Sequence, residues 1–326
     1  MPPDRYRIDT HVDAETRAKA LSDDVLRGLT SRPKTLPPKY FYDAAGSALF
    51  DEITRLPEYY LTRVEDELLR TCAPAVMRRA TPDDIVEIGA GTGVKIRRFM
   101  DAVDGARRSV RYVPVDLDET TMRATAARLT VAYAFLSVHG VVGDFERHLA
   151  HVPPAIGRRL VVFLGSTIGN LDRAPCRDFL AEVRRLLRDG DRFLVGVDLV
   201  KDHPTLEAAY NDAAGVTGEF NRNILRVVNH GLGGDFRPEA FRHHAWYNEA
   251  ERRIEMHLVA EARLRARLRR LGIAIEVEAG ESIWTENSYK FTRESTVAMF
   301  EPAGLRLESW HVDDRERFAL ALAAPA

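Results

Sequence analysis

The chain is predicted to be an α/β protein: a mainly parallel sheet with helical crossovers, interrupted by an inserted second lobe of α+β character. Three observations predict this. From residue 84, short apolar runs ("IVEI", "VRYVPVD", "VHGVVGD", "RLVVFLG", "RFLVGVDLV") alternate with helix-like segments, the rhythm of a parallel sheet. That rhythm breaks after Val200, where helix-like stretches and two strand-like runs, "RRIEMHLVA" and "IAIEVEAGESIW", take over. The 326 residues also exceed the roughly 250–300 at which a single core usually stops growing. The expected architecture is therefore a Rossmann-like core with right-handed crossovers and its ligand beyond the carboxyl ends of the strands.

The elements can be justified in order. Residues 13 to 30 read as an amphipathic helix ending near Gly28. "SRPKTLPPKYFYDAAGSALFDEITRLPEYYLTR" follows, and its prolines and aromatics predict an ordered but irregular segment, since aromatic rings are costly to leave in water. In "TRVEDELLRTCAPAVMRR", Thr62 and Glu65 have capping-box spacing, and Val64, Leu68, Leu69, Cys72 and Val76 form a helical stripe. Within the later region, Ile254, Met256 and Leu258 alternate with polar residues, as in a half-buried strand. "TRESTVAMFEPAGLRLESWHVDDRERFALALAA" reads helix, strand, strand and is expected to rejoin the sheet. The expected division is 1–200 plus 287–326 for the core and 201–286 for the inserted lobe.

Composition narrows the function. Hydrophobic residues make up 45% and charged residues 29%, and the net charge is −2, so neither a nucleic-acid nor a membrane partner is expected. Lysine occurs only at positions 19, 34, 39, 95, 201 and 290. The N-terminal stretch has no apolar leader segment, and no run approaches the ~18 apolar residues of a membrane span. Cys72 and Cys176 have neither CxxC nor zinc spacing and read as reduced, buried thiols. A cytoplasmic monomer is expected. His148 and His151 form an H-x-x-H without an obvious third ligand, so no metal is expected.

The most informative stretch is "DIVEIGAGTGVKIRRFM", where Gly89, Gly91 and Gly93 follow a strand and precede a helix. Such a turn cradles a nucleotide-like cofactor, although G-x-G-x-G alone is a weak signal. Its neighbours sharpen it. Glu87 lies in the preceding strand, and "VPVDLD" puts Asp116 and Asp118 at the end of the next one, where a carboxylate accepts from ribose hydroxyls. "VVGDFE" puts Asp144 and Phe145 after the third, an acid for an adenine amino group and a ring for apolar packing. Apart from Lys95 there is no basic cluster for a pyrophosphate and no Walker pattern. An acid-rich adenosine pocket without phosphate ligands fits S-adenosylmethionine, whose sulfonium is cationic. A dehydrogenase is the alternative, disfavoured by the glycine spacing and the third acid. After the fourth strand, "LGSTIGNL" places Ser166, Thr167 and Asn170 where a small substrate's amine or carboxylate could be held. The "NPPY" or "DPPY" run of nucleic-acid amine methyltransferases is absent.

Six blocks, "PPKYFYDAAGSALFDEITRLPEYYLTR", "VFLGSTIGNL", "DLVKD", "YNDAAGVTGEFNRN", "RIEMHL" and "TENSYKF", together resemble the histidine Nα-methyltransferases of ergothioneine biosynthesis, from about residue 17 to the C-terminus. The resemblance implies a class I methyltransferase core with an inserted substrate-binding lobe, and an N-terminal segment that contributes to the substrate site. It implies trimethylation of the α-amino group of L-histidine to hercynine through mono- and dimethyl intermediates. It also implies roles: Gly89, Gly91, Lys95, Asp116, Asp144 and Phe145 for the cofactor, Tyr42 and Asn170 near the amine, Tyr59, Asn170 and Tyr210 for the amino-acid end, and Met256, Glu286 and Ser288 on the imidazole side. Tyr40 stands where some members have tryptophan, and "TENSYKF" where some have "TEVSCKF". Neither change removes a polar ligand. A Glu and a Ser two apart in an extended segment point to one side and could grip the imidazole nitrogens. None of the residues assigned to the amine end is a lysine or histidine, so little dedicated general-base catalysis is expected. The rivals are an Nα-methyltransferase for another aromatic amino acid such as tryptophan, and a silent methyltransferase-like binding protein.

Overall fold

The computed structural model describes residues 5–103 and 109–326. Its strands are β1 (Tyr6–Thr10), β2 (Lys34–Thr35), β3 (Asp84–Ile88), β4 (Val110–Asp116), β5 (Leu136–Val142), β6 (Arg159–Phe163), β7 (Arg192–Asp198), β8 (Phe241–Asn248), β9 (Arg253–Ala260), β10 (Leu264–Leu268), β11 (Ile273–Val277), β12 (Ser282–Tyr289), β13 (Leu305–Val312) and β14 (Phe318–Pro325). Its α-helices are α1 (Ala14–Thr30), α2 (Ala44–Ile53), α3 (Leu61–Ala80), α4 (Ile96–Asp101), α5 (Glu119–Ala132), α6 (Phe145–His148), α7 (Arg173–Leu186), α8 (His203–Ala208), α9 (Val216–Leu232) and α10 (Arg293–Phe300). They fall into two compact units: Met1–Asp13, Arg63–Leu199 and Phe291–Ala326 in one, Ala14–Thr62 and Val200–Lys290 in the other. The second unit is thus larger than expected. The aromatic N-terminal segment 14–62, assigned above to the core, clusters with the inserted region instead.

The first unit is an eight-stranded sheet in the order β1-β5-β4-β3-β6-β7-β14-β13. The pairs from β1 to β7 are parallel, and β14 runs antiparallel to both β7 and β13. Every residue of β3 and of β6 is buried, which is why "DIVEI" and "RLVVF" read as continuous apolar runs rather than alternating ones. The chain leaves β3 toward β4 and β5, then returns to β6 on its other side. This makes the carboxyl end of β3 a topological switch point, where such sheets bind ligands. At the other end of the strands Asp84 is fully buried and takes charge-assisted bonds from Arg111 Nε at 2.7 Å and Arg159 Nη2 at 2.6 Å. That end is closed by paired charges. β1 was not legible in the sequence. It is a short edge strand whose residues are all partly or fully exposed, so no apolar pattern marks it.

The second unit holds a four-stranded sheet, β2-β12-β9-β8, and a hairpin, β10-β11. Phe220, Ile224, Leu225, Val228 and Leu232 make the buried stripe of α9, spaced as one helical face requires. Phe41 packs on Phe220 with ring centroids 4.6 Å apart. Asp43 caps α2 through Gly46 N–H and accepts from Asn223 Nδ2 at 2.8 Å. A Cβ on Gly46 would lie 1.7 Å from Phe41 O, so only glycine lets α2 start so close to the preceding turn.

A β-bulge in β12 decides which way its side chains face. Trp284 pairs with His257 but Glu286 pairs with Met256, leaving Thr285 as the extra residue. Without it Trp284 and Glu286 would share a face. With it, Glu286 and Ser288 oppose Met256 and Ile254 on the apolar face of β9, while Trp284 and Tyr289 oppose His257 and Arg253 on the other. The bulge is held by Thr285 Oγ1, buried, which donates to Asn221 Oδ1 at 2.7 Å. The other face carries a ladder in which His257 stacks between Trp246 at 4.2 Å and Trp284 at 5.4 Å. Burial there pushes the imidazole of His257 down to about 4.

Both cysteines are buried and free. No helix among the described residues is long and apolar enough to cross a membrane.

Candidate active site

The first set of site residues lines the carboxyl edge of the core sheet. Gly89, Gly91 and Gly93 all adopt positive φ, at 68°, 49° and 63°, which glycine alone populates without strain. A Cβ on Gly89 or Gly91 would meet nothing within 4 Å, whereas one on Gly93 would strike Thr125 Cγ2 at 2.5 Å. The first two glycines therefore keep an open surface against which a ligand can press, and the third lets the turn pack on α5. Asp116, at the end of β4, shapes the turn: its carboxylate accepts from Gly91 N–H at 2.8 Å and Asp118 N–H at 3.1 Å. Each oxygen retains capacity to accept again. Asp144 follows β5 and accepts from Glu146 N–H at 3.0 Å. The Phe145 ring lies 5.4 Å from Phe163 and 5.8 Å from Phe179. Asn170 ends the turn after β6, half-buried. That turn is fixed by Ser166, whose Oγ accepts from Asp198 N–H at 2.9 Å. Glu87 is buried in β3, accepts from Tyr112 Oη at 2.5 Å, and is pushed up by burial to about 7.

The second set belongs to the second unit. Tyr42 keeps 47% of its surface open, yet surrounding protein desolvates its hydroxyl and raises its pKa, with Glu286 and Tyr210 adding to the effect. Its ring meets Phe50 and Phe220, each 5.6 Å away. Phe50 meets Tyr59 at 6.1 Å, and Tyr59 meets Tyr210 at 6.5 Å. Glu286 sits half-buried on the inner face of β12 beside buried Met256. Burial pushes its carboxyl up to about 7, and the charge of Lys290 opposes that rise. Tyr210 Oη and Ser288 Oγ, assigned above to opposite ends of the substrate, lie 2.8 Å apart and share a hydrogen bond.

A family profile described as histidine-specific methyltransferase, SAM-dependent, matches residues 21–325. The chain belongs to that family. The Histidine N-alpha-methyltransferase of Mycolicibacterium smegmatis is 48% identical over 316 residues, covering 97% of this chain and 98% of that one. The protein of the same name from Mycobacterium tuberculosis is 45% identical over 320 residues, covering 98% and 99%. Ergothioneine biosynthesis protein 1 of Neurospora crassa is 29% identical over 298 residues, 85% of this chain and 32% of that protein.

The methyl donor of the family is S-adenosylmethionine, and the first set fits it: an open glycine cradle, carboxylates for hydroxyl and amino donors, and an aromatic wall. Two residues of this family member escaped the sequence reading. Glu65 does not cap α3, which begins at Leu61. It is buried in the core, accepts from Gly165 N–H at 2.6 Å and pairs with Lys95 Nζ at 2.5 Å. Lys95, expected at the cofactor, is thus held by a carboxylate that also fixes the loop after β6. Gly196 makes room for it, since a Cβ there would lie 2.3 Å from Glu65 Oε1. The second is Lys290. It lies in "TENSYKF" but carries no signal of its own, because the face it takes depends on the bulge at Thr285. His148 and His151 stack at 5.8 Å, and His11 stacks on His151 at 4.0 Å. Stacked rings do not converge their nitrogens on one ion, and no metal-holding cluster occurs among the described residues.

Proposed function

We propose that this chain is an S-adenosylmethionine-dependent histidine Nα-methyltransferase that converts L-histidine to hercynine by three successive transfers, supplying ergothioneine biosynthesis. The observation that carries the choice of amino acid is Glu286. It is a desolvated carboxyl with no hydrogen-bond partner for its side chain among the described residues, placed by a bulge on the same face as Ser288. An imidazole offers an N–H donor to the carboxylate and a second nitrogen that can accept or donate. Membership of the histidine-specific family supports the same reading.

The bound donor supplies an activated methyl group. The chain's residues do the rest. Gly89, Gly91, Asp116, Asp144, Phe145 and Lys95 hold the donor. Glu286, Ser288 and Met256 take the ring, Tyr59 and Tyr210 the carboxylate end. Asn170 and Tyr42 orient the α-amine, which must be neutral to attack. Tyr42 holds its own proton tightly, so it serves as a hydrogen-bonding guide, and water carries the amine proton away before each transfer. Positioning of this kind is worth up to ~7–11 kcal/mol. A nitrogen bearing three methyls has no lone pair left, which ends the sequence.

The test is incubation with isotopically labelled S-adenosylmethionine and a panel of amino acids, read by mass. Histidine gaining three methyls, and added dimethylhistidine gaining one, are expected. Label on tryptophan in preference to histidine, or on no amino acid, would defeat the reading.

A further inference from the structure

Asn221 follows Phe220 on the buried face of α9 and is 0% exposed. A buried amide is costly unless its polar atoms are paired, and here all of them are. Oδ1 accepts from Thr285 Oγ1 at 2.7 Å, while Nδ2 donates to His257 O at 3.1 Å and to His243 Nδ1 at 2.9 Å. His243 can accept because its other ring nitrogen, Nε2, donates to Tyr210 O at 2.8 Å. Burial also lowers the pKa of that imidazole, so it carries one proton and Nδ1 keeps its lone pair. One side chain thus ties α9 to β8, to β9 and to the residue that bulges from β12.

We propose that Asn221 is a positioning residue for selectivity toward the imidazole: by holding Thr285 at the bulge it fixes the direction in which Glu286 leaves β12. This rests on the function proposed above, in which Glu286 takes the ring.

The argument is one of register. Along a regular strand successive side chains take opposite faces. Thr285 and Glu286 are successive, yet both lie on the face that Asn221 meets. His243, bonded to Asn221, pairs with Leu258, and Glu286 pairs with Met256, two residues along the same face of β9. A bulge is what allows this. If Thr285 entered the ladder opposite Met256, Glu286 would come to lie opposite Glu255 and turn to the other face. That slip carries Thr285 along the strand, away from the level of His257 and Leu258 where Nδ2 anchors Asn221. It would strip a buried amide oxygen of its donor, and such losses are the expensive kind. Asn221 therefore opposes the slip, and an aspartate there would not: an oxygen in place of Nδ2 would face two acceptors, His243 Nδ1 and His257 O.

The experiment uses the full chain with S-adenosylhomocysteine bound and titrates L-histidine by calorimetry, with steady-state kinetics in parallel. Thr285→Val keeps the shape and removes the donor; Thr285→Ser keeps the donor. Thr285→Val is expected to raise the Kd and KM for histidine five- to twentyfold, to change kcat less than threefold and to leave S-adenosylhomocysteine affinity as in wild type. Thr285→Ser should stay within threefold of wild type. Asn221→Asp should lose at least as much histidine affinity as Thr285→Val, and if it does not fold, the Thr285 variants decide. In a Glu286→Ala background, Thr285→Val should cost less than twofold further, because there is no carboxylate left to aim. An undiminished loss in that background would overturn the proposal, as would a Thr285→Ser variant as weak as Thr285→Val. So would unchanged histidine affinity in Thr285→Val with only a lowered melting temperature. A wild type that neither binds nor methylates histidine would instead defeat the function itself, and is read separately.

Discussion

Glu87 in the core unit and Glu286 in the second unit have the same side chain and the same perturbation. Burial pushes each carboxyl up to about 7. They differ in what they bond. Glu87 is closed off, 2% exposed, with the Tyr112 hydroxyl at 2.5 Å. Glu286 is reachable, and its carboxylate has no hydrogen-bond partner among the described residues. The lesson is that a raised carboxyl pKa marks desolvation and does not by itself mark a binding role. What separates a recognition carboxylate from a structural one is whether the protein has already satisfied it.

The sharpest way to break this comparison is to remove the unsatisfied carboxylate. Glu286→Ala is expected to lower kcat/KM for histidine about ten- to a hundredfold, from the ~1.5–3 kcal/mol of a hydrogen bond to a charged group. It should also narrow the preference over tryptophan. Competition between the two amino acids, scored as the ratio of kcat/KM in both variants, checks it. A ratio that does not fall would mean Glu286 does not read the imidazole. On the cofactor side, Asp116→Ala should weaken S-adenosylmethionine binding by roughly 1.5–3 kcal/mol, measured by calorimetry. Unchanged affinity would take Asp116 out of the site. Asn170→Ala should reduce histidine turnover about three- to tenfold, the range of a neutral hydrogen bond of ~0.5–1.5 kcal/mol, with a smaller effect on cofactor affinity. Equal loss of both would make Asn170 a scaffold residue.

The smallest expected effect separates the two glutamates by pH. Folding raises both above the ordinary value of 4.5, so each folded carboxyl keeps a proton that the unfolded chain has already lost. Stability from this source is full below about 4.5, falls as pH rises toward about 7, and is flat above. Glu87→Gln and Glu286→Gln should each flatten that slope in denaturant titrations at pH 5 and pH 8. Only Glu286→Gln should also abolish the change in histidine KM through pH 7. If Glu87→Gln did so too, the distinction between satisfied and unsatisfied carboxyls would fail.

The core sheet was legible because its strands are buried on both faces, so "DIVEI" and "RLVVF" carry unbroken apolar runs, and because glycines and acids stand at their carboxyl ends. The rest required long-range packing. Residues 14–62 join the second unit through partners such as Phe220 and Asn223, more than 150 positions away, and no local pattern shows that. Glu65 has capping-box spacing but is drawn into the core by Lys95 and Gly165. The side on which Lys290 lies follows from one unpaired residue, Thr285, and a strand's alternation is read correctly only once such a bulge is known.

The second unit is discontinuous in sequence, and this has a consequence for how the chain is made. Residues 14–62 emerge from the ribosome about 140 positions before residue 200. At roughly 5–20 residues per second, that is on the order of 7–30 s before the second piece begins to emerge, and Phe41 and Phe50 wait longer still for Phe220, and Tyr59 for Tyr210. Residues 14–62 are therefore an aromatic-rich stretch of nascent chain made well before the partners it packs on. A circular permutant that starts at residue 200 would deliver both pieces nearer together in time.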